Sequence, residues 1–429
     1  MVTVIGAGLA GSEAALQCAR LGVFVRLYEM RPHTKTPAHQ TALVAELVCS
    51  NSLKSEEIEN AHGLLKAELK TYGSLLLNCA KNVRIRGGKA LVVDRSLFSL
   101  EVQKELDRAG VEIIREEITE IPDGITIIAT GPLTSSSMAE ALISLLGARC
   151  LFSYDAIAPI VAAESLNMEK LFSGSRYGKG DDYLNSPLTE QEYNLLVNEL
   201  ARAETYAGHP FEKIHFFEGC LPVEELAERD RLALAFGPLK PVGLIDPRTG
   251  KMPFAVVQLR RENREGTMFN LVGFQTRLKR PEQERVLRLI PGLENARFLR
   301  FGSIHRNTFL DSPNILLPTL QTRLRSDLFI AGQLCGVEGY VESIATGLLA
   351  GINAARLAQN KQPITLSHKT ILGGLVRYIT SPNENFQPMN ANFGLLPRLK
   401  PPLRGLKKRR AFAQRALRFA QKHLMQITS

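Results

Sequence analysis

Short apolar runs that end in glycine mark the beginning of the chain. The run Val2 to Ile5 is followed by the sequence GAGLAG and then by an amphipathic helical pattern. A second apolar run, Val23 to Tyr28, ends at Glu29, and a third, Ile125 to Ala129, ends in Thr-Gly-Pro. Strand-like runs that alternate with a helical pattern predict a Rossmann-like α/β fold.

The glycine-rich segment between the first strand and the first helix has the form of a dinucleotide-binding turn. It consists of Gly6, Ala7, Gly8, Leu9, Ala10 and Gly11. Gly6 permits a sharp turn, Gly8 lets a pyrophosphate approach the main chain, and Gly11 allows close packing of helix on strand. The N–H groups that open the helix then face the phosphates. A lone GxGxxG also occurs by chance, but its register with the flanking strands and Glu29 favours FAD or NAD, with Glu29 on the ribose hydroxyls.

Composition and cysteine spacing narrow the class of protein. The 429 residues, 45% hydrophobic and 22% charged, predict a soluble globular protein of two or three domains. The motif starts too early for a preceding signal peptide, and no uncharged apolar run reaches the length of a membrane span. We therefore expect a cytoplasmic protein with no membrane partner. The six cysteines form no CxxC pair, so we expect no metal site and, in a reducing compartment, no disulfides.

The net charge of +10 is concentrated at the C-terminal end. From Asn385 to Ser429 there is no Asp or Glu, and the basic residues of this segment are Arg398, Lys400, Arg404, Lys407, Lys408, Arg409, Arg410, Arg415, Arg418 and Lys422. Such a segment indicates a polyanionic partner, with nucleic acid first and an anionic membrane surface second. The alternative is a solvated helix without a partner. Because Phe412 and Phe419 are its only aromatic residues, we expect contact with phosphates, chiefly through Lys407 to Arg410.

Changes in the pattern of apolar, polar and glycine residues along the chain predict four parts. Residues 1–149 and 299–398 are two parts of one cofactor-binding domain, residues 150–298 form an inserted α+β substrate domain, and residues 399–429 form a basic helical tail. Within the inserted part we expect a helix over Glu190 to Ala207 and strands at Lys213 to Phe217, Ala255 to Arg260 and Met268 to Phe274.

The cofactor-binding domain is predicted to resume with a strand at Asp327 to Gln333. The following loop leads into a helix of small residues, Val341 to Arg356. Such a loop and helix start place backbone N–H groups beside a flavin ring, which favours FAD over NAD, whereas alone they would indicate an ordinary βα turn. The further cofactor-binding residues predicted here are Thr130, Gly131, Gly332, Gln333, Gly336, Glu338 and Gly339.

Four stretches together resemble one family. They are Leu47–Leu53 (LVCSNSL), Phe217–Glu225 (FEGCLPVEE), Phe236–Leu244 (FGPLKPVGL) and His305–Thr308 (HRNT). The chain resembles the folate- and FAD-dependent tRNA uracil-C5 methyltransferases, the TrmFO family, over nearly its whole length. The resemblance implies 5,10-methylenetetrahydrofolate as carbon donor, NADH or NADPH as electron donor, and a uridine in the T-arm of tRNA as acceptor. It implies no obligate protein partner.

The chemistry of that family explains why cysteines are needed. Uracil C5 is a weak nucleophile, so a thiolate first adds at C6, after which a base removes the C5 proton and a hydride completes the methyl group. The resemblance assigns catalytic roles to Cys49 and Cys220. We favour Cys220 as the attacking thiolate and Cys49 as the second thiol, with the reverse assignment open. Without the resemblance, either would be read as a small buried hydrophobe.

Further binding residues follow from the same resemblance and from charge. His305 is a candidate for stacking on the pterin of folate, and Arg306 for meeting its glutamate tail. The alternative is that this pair only closes a loop by hydrogen bonds. Lys240, Arg248 and Lys251, around the turn Asp246 to Gly250, are candidates for RNA phosphates, or else belong to a solvated hairpin tip.

Three rival functions stay open at this stage. One is wobble-uridine modification by an MnmG-like flavoenzyme, which shares the flavin loop but is longer and lacks the second cysteine motif. Another is methylation of uridine in rRNA, because shape and surface, not catalytic motifs, select the target. The third, from another class, is a flavin-carrying RNA-binding protein without turnover, against which Cys49 and Cys220 argue.

Overall fold

The structure, a computed structural model, describes residues 1–147, 150–178, 180–206 and 221–428. Its helices are α1 (Leu9–Arg20), α2 (Ala61–Tyr72), α3 (Leu75–Asn82), α4 (Arg95–Arg108), α5 (Ser136–Leu146), α6 (Glu190–Arg202), α7 (Val223–Arg229), α8 (Ala233–Phe236), α9 (Arg280–Leu287), α10 (Ser312–Ile315), α11 (Tyr340–Ala358), α12 (Ile371–Thr380) and α13 (Gly405–Thr428). Its strands are β1 (Val2–Ile5), β2 (Val25–Tyr28), β3 (Ser52–Ser55), β4 (Arg84–Ile85), β5 (Ala90–Val93), β6 (Glu112–Ile114), β7 (Thr126–Ile128), β8 (Cys150–Ile157), β9 (Ile160–Ala162), β10 (Phe172–Ser173), β11 (Tyr183–Leu188), β12 (Ala255–Arg261), β13 (Met268–Leu271), β14 (Phe298–Arg300), β15 (Ser303–Leu310) and β16 (Leu328–Ile330).

A parallel sheet forms the centre of the first unit, with strand order β16-β7-β1-β2-β6. Its central positions, such as Val4, Leu27 and Ile127, are fully buried. Helices cover such a sheet on both faces, so its strands read as continuous apolar runs. The late strand β16 pairs with β7, which confirms the predicted Rossmann-like α/β fold interrupted by an inserted unit.

Helices α1 and α11 approach each other closely because their contact is made of small residues. A Cβ atom at Gly347 would lie 2.2 Å from the carbonyl oxygen of Ala10, and one at Gly351 would lie 2.5 Å from that of Ala14. Glycine is therefore required at both positions. This explains the small-residue composition of the helix that the sequence predicted at Val341 to Arg356.

The inserted unit is built around an antiparallel sheet with strand order β10-β11-β12-β13-β9-β14. Helix α6 covers it and begins with a capping box between Thr189 and Glu192. The predicted helix and the strand at Ala255 are confirmed, although the helix ends at Arg202. The strand predicted at Lys213 to Phe217 lies outside the described residues. The domain boundaries near 149, 298 and 398 remain predictions.

Two antiparallel elements connect the units. Strands β8 and β15 pair along eight residues and place Asp155 directly opposite His305. The small sheet β3-β5-β4 adjoins the inserted sheet through buried Asn51, whose amide donates to the carbonyl of Arg261 at 2.9 Å. Arg260 in turn donates to Asn51 Oδ1 at 2.9 Å. This polar junction fixes the segment that directly follows Cys49.

The C-terminal helix α13 packs on the first unit through one apolar face. Its buried residues follow helical spacing and are Phe412, Ala413, Ala416, Ala420, His423 and Ile427. Its basic start, Lys407 to Arg410, is exposed. The predicted tail is thus a docked helix with a basic N-terminal end. No helix in the part of the chain that the structure describes is both long enough and apolar enough to cross a membrane.

Candidate functional site

The glycine-rich turn opens on a cavity, here called the dinucleotide cavity, which is bordered by Gly8, Glu29, Thr130 and Gly332. Gly6 has φ +97°, and a Cβ there would lie 2.6 Å from the carbonyl oxygen of Ala129. A Cβ at Gly11 would lie 1.8 Å from the Gly6 carbonyl oxygen. Around Gly8, by contrast, no atom lies within 4 Å of such a Cβ. Gly6 and Gly11 therefore serve packing, and Gly8 leaves space at the start of α1.

Glu29 follows β2 and points back toward the glycine-rich turn. Its carboxylate accepts a hydrogen bond from the Ala7 amide at 3.2 Å and from Arg31 Nε at 2.8 Å. Burial alone raises the pKa of Glu29, but the hydrogen-bonded Arg31 guanidinium lowers it overall. A buried, ionised carboxylate thus borders the cavity at the position predicted for a ribose.

The loop after Glu29 supplies cavity residues that the sequence analysis missed. Arg31 is buried and also contacts Glu46 at 3.2 Å, while Thr36 and His39 line the same space. Burial and the nearby Arg31 charge lower the pKa of His39 to about 4, so this imidazole is neutral at pH 7. No known spacing or repeat marks this loop, and only the position after a ribose-binding acid was available as a signal.

The late loop also borders the dinucleotide cavity. Gly332, Gln333 and Tyr340 line it, and α11 begins at Tyr340 without a side-chain cap. Its free N-terminal N–H groups suit an anionic or electron-rich ligand. Gly336 lies elsewhere, because a Cβ at this position would be 2.3 Å from the Phe386 ring. Of the predicted loop residues, Gly336 is therefore explained by packing.

A second cavity adjoins the first and is here called the cysteine cavity. It is lined by residues from several separate segments of the chain, among them Cys49, Lys54, Asp155, Gln275, His305, Asn307, Glu338, Gly339 and Glu342. It shares Val48, Pro132, Leu133, Gln333 and Tyr340 with the dinucleotide cavity. A ligand bound in one cavity is thus in reach of a ligand bound in the other.

Cys49 is half-buried in this cavity, and its backbone is fixed by Tyr340. The Cys49 and Ser50 amides both donate to the Tyr340 hydroxyl, at 2.7 and 3.1 Å. Burial, reinforced by the charge of Asp155, raises the pKa of the Cys49 thiol to about 11. At neutral pH Cys49 is therefore a thiol and not a thiolate.

Three carboxyl groups surround the same cavity. Glu338 accepts from Gln333 Nε2 at 2.6 Å, and Glu342 accepts from His62 Nδ1 at 3.1 Å. Burial raises the pKa of Asp155 and raises that of Glu338 well above its usual range, with the charge of Asp155 adding to the latter. Carboxyl groups with displaced pKa values beside a cavity are typical of functional sites.

His305 faces the cysteine cavity from β15. Its Nε2 lies 2.9 Å from the Ser303 hydroxyl. Burial and the charge of Arg300 lower its pKa to about 4, so the ring is neutral at pH 7. A neutral, partly buried imidazole offers a flat surface to a heterocycle. Arg306 follows on the same strand, and its side chain lies outside what the structure describes.

The chain has close relatives of known name. A family model described as GIDA, glucose inhibited division protein A, matches residues 1–362. Proteins from Ligilactobacillus salivarius and Pelotomaculum thermopropionicum, both named methylenetetrahydrofolate--tRNA-(uracil-5-)-methyltransferase TrmFO, are 55% and 56% identical to it. These alignments cover 95% and 97% of this chain, and 94% and 96% of the relatives. The chain belongs to the TrmFO family.

Solved structures agree with this TrmFO assignment at the level of the fold. Two crystal forms of Aquifex aeolicus GidA superimpose with a TM-score of 0.70 at 17% and 18% identity. They cover 100% and 99% of this chain, which spans 75% of the GidA chain. At this identity the likeness concerns the fold alone.

The dinucleotide cavity of this TrmFO family member fits a flavin dinucleotide. Space is left at Gly8, where the N-terminus of α1 would meet a pyrophosphate. The buried carboxylate of Glu29 lies beside this turn and could accept hydrogen bonds from a ribose. The cavity has a volume of about 1010 Å³, counting space open to solvent. Among the described residues no group of His, Cys, Asp or Glu has the arrangement of a metal site.

The remaining predicted residues of the TrmFO chain are distributed more widely. Cys220 lies outside the described residues, but Val223 donates to the carbonyl of Gln275, which lines the cysteine cavity. Arg248 pairs with Asp246 at 2.8 Å and donates to the Glu169 carbonyl, which stabilises its turn. Lys251 is exposed.

Like Arg248, three more of the predicted RNA contacts have protein partners of their own. The Lys408 ammonium lies 5.6 Å from the Phe412 ring centre. The Lys240 ammonium lies 6.0 Å from the Tyr177 ring centre. On α13, Arg410 pairs with Glu59 at 3.1 Å.

Proposed function

We propose that this protein methylates C5 of a uridine in the T-arm of tRNA, using 5,10-methylenetetrahydrofolate as carbon donor. FAD is its cofactor and NADH or NADPH its reductant. The observation that carries the proposal is the shared wall between a cavity with dinucleotide-binding features and a cavity that holds Cys49. The names of the relatives supply the substrate class. Because they carry the methyltransferase name, wobble-uridine modification is not favoured.

The residues that would hold FAD are those of the dinucleotide cavity. Gly8 and the first N–H groups of α1 would receive the pyrophosphate, and Glu29 the ribose hydroxyls. Gly332 and Gln333 would lie along the flavin end, near the start of α11. When bound, the flavin supplies hydride chemistry, while the protein supplies binding, orientation and exclusion of water.

Cys220 is proposed as the thiolate that adds to uracil C6, and Cys49 as the second thiol. The high pKa of Cys49 supports this division, because a buried thiol holds its proton at neutral pH and is a poor nucleophile. A protonated thiol suits a role in proton transfer or in shielding a reactive intermediate. The attachment of Val223 to the wall of the cysteine cavity supports a contribution of the Cys220 segment.

The folate is proposed to enter the cysteine cavity beside His305. A neutral imidazole can stack on a pterin without the cost of burying a charge. Arg306, from the same strand, remains the candidate for the glutamate tail. Cys18, Cys49, Cys79 and Cys335 carry free thiols, which fits the reducing cytoplasm as the proposed location.

The exposed basic residues are proposed to bind the phosphates of tRNA. Lys407, Lys408 and Arg409 support this role best, because all three are exposed at the start of α13. Lys251 and Lys240 are further candidates on the inserted unit. Arg248 and Arg410 are paired with carboxylates of the protein. To bind RNA, each would have to exchange its carboxylate partner for a phosphate.

The experiment that tests this function is reconstitution of the reaction. The purified protein is incubated with FAD, NADH or NADPH, labelled methylenetetrahydrofolate, and separate tRNA and rRNA transcripts, and the products are mapped for 5-methyluridine. We expect label at one uridine of the T-arm. Label in rRNA alone would change the substrate assignment, and no label in either RNA would refute the function.

Cysteine variants test the covalent step in the same assay. We expect Cys220→Ala and Cys49→Ala each to abolish methyl transfer while FAD is retained. Cys79→Ala is the matched control, because this buried cysteine lies in α3, away from both cavities. Unchanged methylation in either of the first two variants would exclude that cysteine from the reaction.

A further inference from the structure

Two polar atoms in the cysteine cavity have no hydrogen bond of good geometry to any described residue. They are Oδ1 of Asp155 and Nδ2 of Asn307. Both residues line the cavity, and Asn307 is only 4% exposed. Buried polar atoms are almost always paired in proteins, so two poorly paired atoms on one cavity wall leave hydrogen-bonding capacity for a ligand.

The strand register explains why these two side chains stand next to each other. In the antiparallel pair of β8 and β15, Asp155 is opposite His305, and Asn307 is two residues further along β15. Residues two apart share one face of a strand, so Asp155 and Asn307 are diagonal neighbours on the face that borders the cavity. Burial raises the pKa of Asp155, and weak hydrogen bonds from the Asn307 and Gln333 amides only partly offset this.

The two atoms form an acceptor beside a donor. Asp155 offers a carboxylate oxygen, and Asn307 offers an amide N–H. A phosphate or carboxylate ligand fits poorly, because Asp155 would repel it. An ammonium group would leave the Asn307 donor unused. The matching partner is an N–H next to a carbonyl, which is the lactam edge of a pyrimidinone ring.

We propose that Asp155 and Asn307 bind this lactam edge, with the ring N–H donating to Asp155 and the ring carbonyl accepting from Asn307. The inference rests on the proposed function, which supplies two rings with such an edge: the uracil of RNA and the pterin of folate. Glu338 and its partner Gln333 border the same wall. Asp155 and Asn307 thus select the ring that enters the cysteine cavity.

The test uses Asp155→Asn and Asn307→Asp in the full-length, flavin-loaded protein. The first removes the charge and replaces one of the two acceptor oxygens by a donor, and the second replaces the amide donor by a charged acceptor. We expect both to raise the KM for the same co-substrate by about 10-fold to 100-fold, the usual effect of losing a hydrogen bond that involves a charged group. The KM for the other co-substrate should stay within about twofold.

The two arms identify the ring. A raised KM for methylenetetrahydrofolate assigns the edge to the pterin, and a raised KM for tRNA assigns it to uracil. For the uracil case, tRNA with 3-methyluridine at the target lacks the N–H, so it should bind more weakly to the wild type but not to Asp155→Asn. Thr308→Ser is the matched control on β15, because Thr308 does not line the cavity.

Other outcomes would overturn the proposal. These are an unchanged KM for both co-substrates in both variants, or an effect of the two variants on different co-substrates. Flavin absorbance and Tm identify a variant that has merely lost its fold, and Asn307→Ser then replaces Asn307→Asp. If the wild type proves not to methylate RNA, the proposed function fails, and equilibrium titrations with tetrahydrofolate and tRNA decide on the lactam site independently.

Discussion

The glycines of the first turn show how one residue type meets different physical demands. Gly11 is required because any Cβ would lie 1.8 Å from the Gly6 carbonyl oxygen. Gly8 has φ −71° and no neighbour within 4 Å of such a Cβ, so its backbone would accept alanine. Packing of the protein without a ligand therefore requires glycine at position 11 but not at position 8.

We therefore expect Gly8→Ala and Gly11→Ala to differ in kind. Gly11→Ala should destabilise the protein by about 1–3 kcal/mol or more, as overpacking does, and lower its Tm. Gly8→Ala should keep the Tm of the FAD-free protein but weaken FAD on the order of tenfold, because the methyl group occupies the space of the pyrophosphate. Thermal unfolding and a flavin titration measure both. A Gly8→Ala variant with unchanged FAD affinity would contradict this view of the cavity.

Cys49 gives a second prediction at the residue scale. Its pKa is raised to about 11, so the thiolate fraction rises only as pH approaches that value. We expect iodoacetamide to alkylate Cys49 slowly at pH 7 and at a rate that still increases above pH 9. Mass spectrometry of the Cys49 peptide measures this rate. Asp155→Asn should shift the profile to lower pH, since the Asp155 charge contributes to the raised pKa.

A site residue could be predicted from the sequence only where it lies at a regular distance from a recognisable motif. Glu29 was predicted because ribose-binding acids follow the second strand at a regular distance. Arg31 and His39 were missed, although they border the same cavity, because their positions depend on how one loop folds back. Asp155 and Asn307 were missed because they become neighbours only once the two strands are paired.

At the scale of elements, helix α13 is held by a chain of hydrogen bonds through buried His423. The Ser367 amide donates to Nε2 at 3.1 Å, and Nδ1 lies 3.1 Å from the Tyr72 hydroxyl. An imidazole that accepts at Nε2 must be neutral, with its proton on Nδ1. Burial accordingly lowers the pKa of His423.

This arrangement predicts a pH dependence with a definite sign. The pKa of His423 is lower in the folded than in the unfolded protein, so below about pH 6.5 the unfolded state binds a proton that the folded state resists. The stabilisation from His423 is therefore complete above that pH and decreases as pH falls. We expect the stability difference between the wild type and His423→Gln to narrow from pH 7 to pH 5. Urea unfolding measures it, and a constant difference would contradict the assigned role.

Periodicity predicted most of the elements and few of their partners. Helices α6 and α11 were predicted because their apolar or small residues repeat at helical spacing, and β12 because it is a short apolar run. The pairing of β8 with β15 could not be predicted, since about 150 residues separate the strands and neither specifies its partner locally. The docking of α13 was missed for the same reason, because its basic residues are conspicuous and its apolar face is ordinary.

At the scale of the whole molecule, the docked state of α13 changes how RNA binding must be tested. Deleting the helix would expose the surface that Phe412 and Ala416 cover, so lost activity would not report on charge. Substitution of exposed charges avoids this. Lys407→Gln combined with Arg409→Gln is suitable, and Lys104→Gln combined with Arg108→Gln on α4 is the matched control.

We expect the α13 pair of substitutions to weaken tRNA binding and to reduce the dependence of log affinity on log salt by about one to two. The α4 pair should leave both unchanged. Filter binding at several salt concentrations measures them. Equal effects of the two pairs would indicate a response to net charge and no localised RNA contact.

The wall shared by the two cavities has one more consequence. Tyr340 and Gln333 belong to both, so a ligand in either chamber adjoins the boundary of the other. Affinity for either guest must then depend on the presence of the other, and by the same factor in both directions. Five side chains that line both chambers would carry this coupling, so substituting one of them should change the two affinities together.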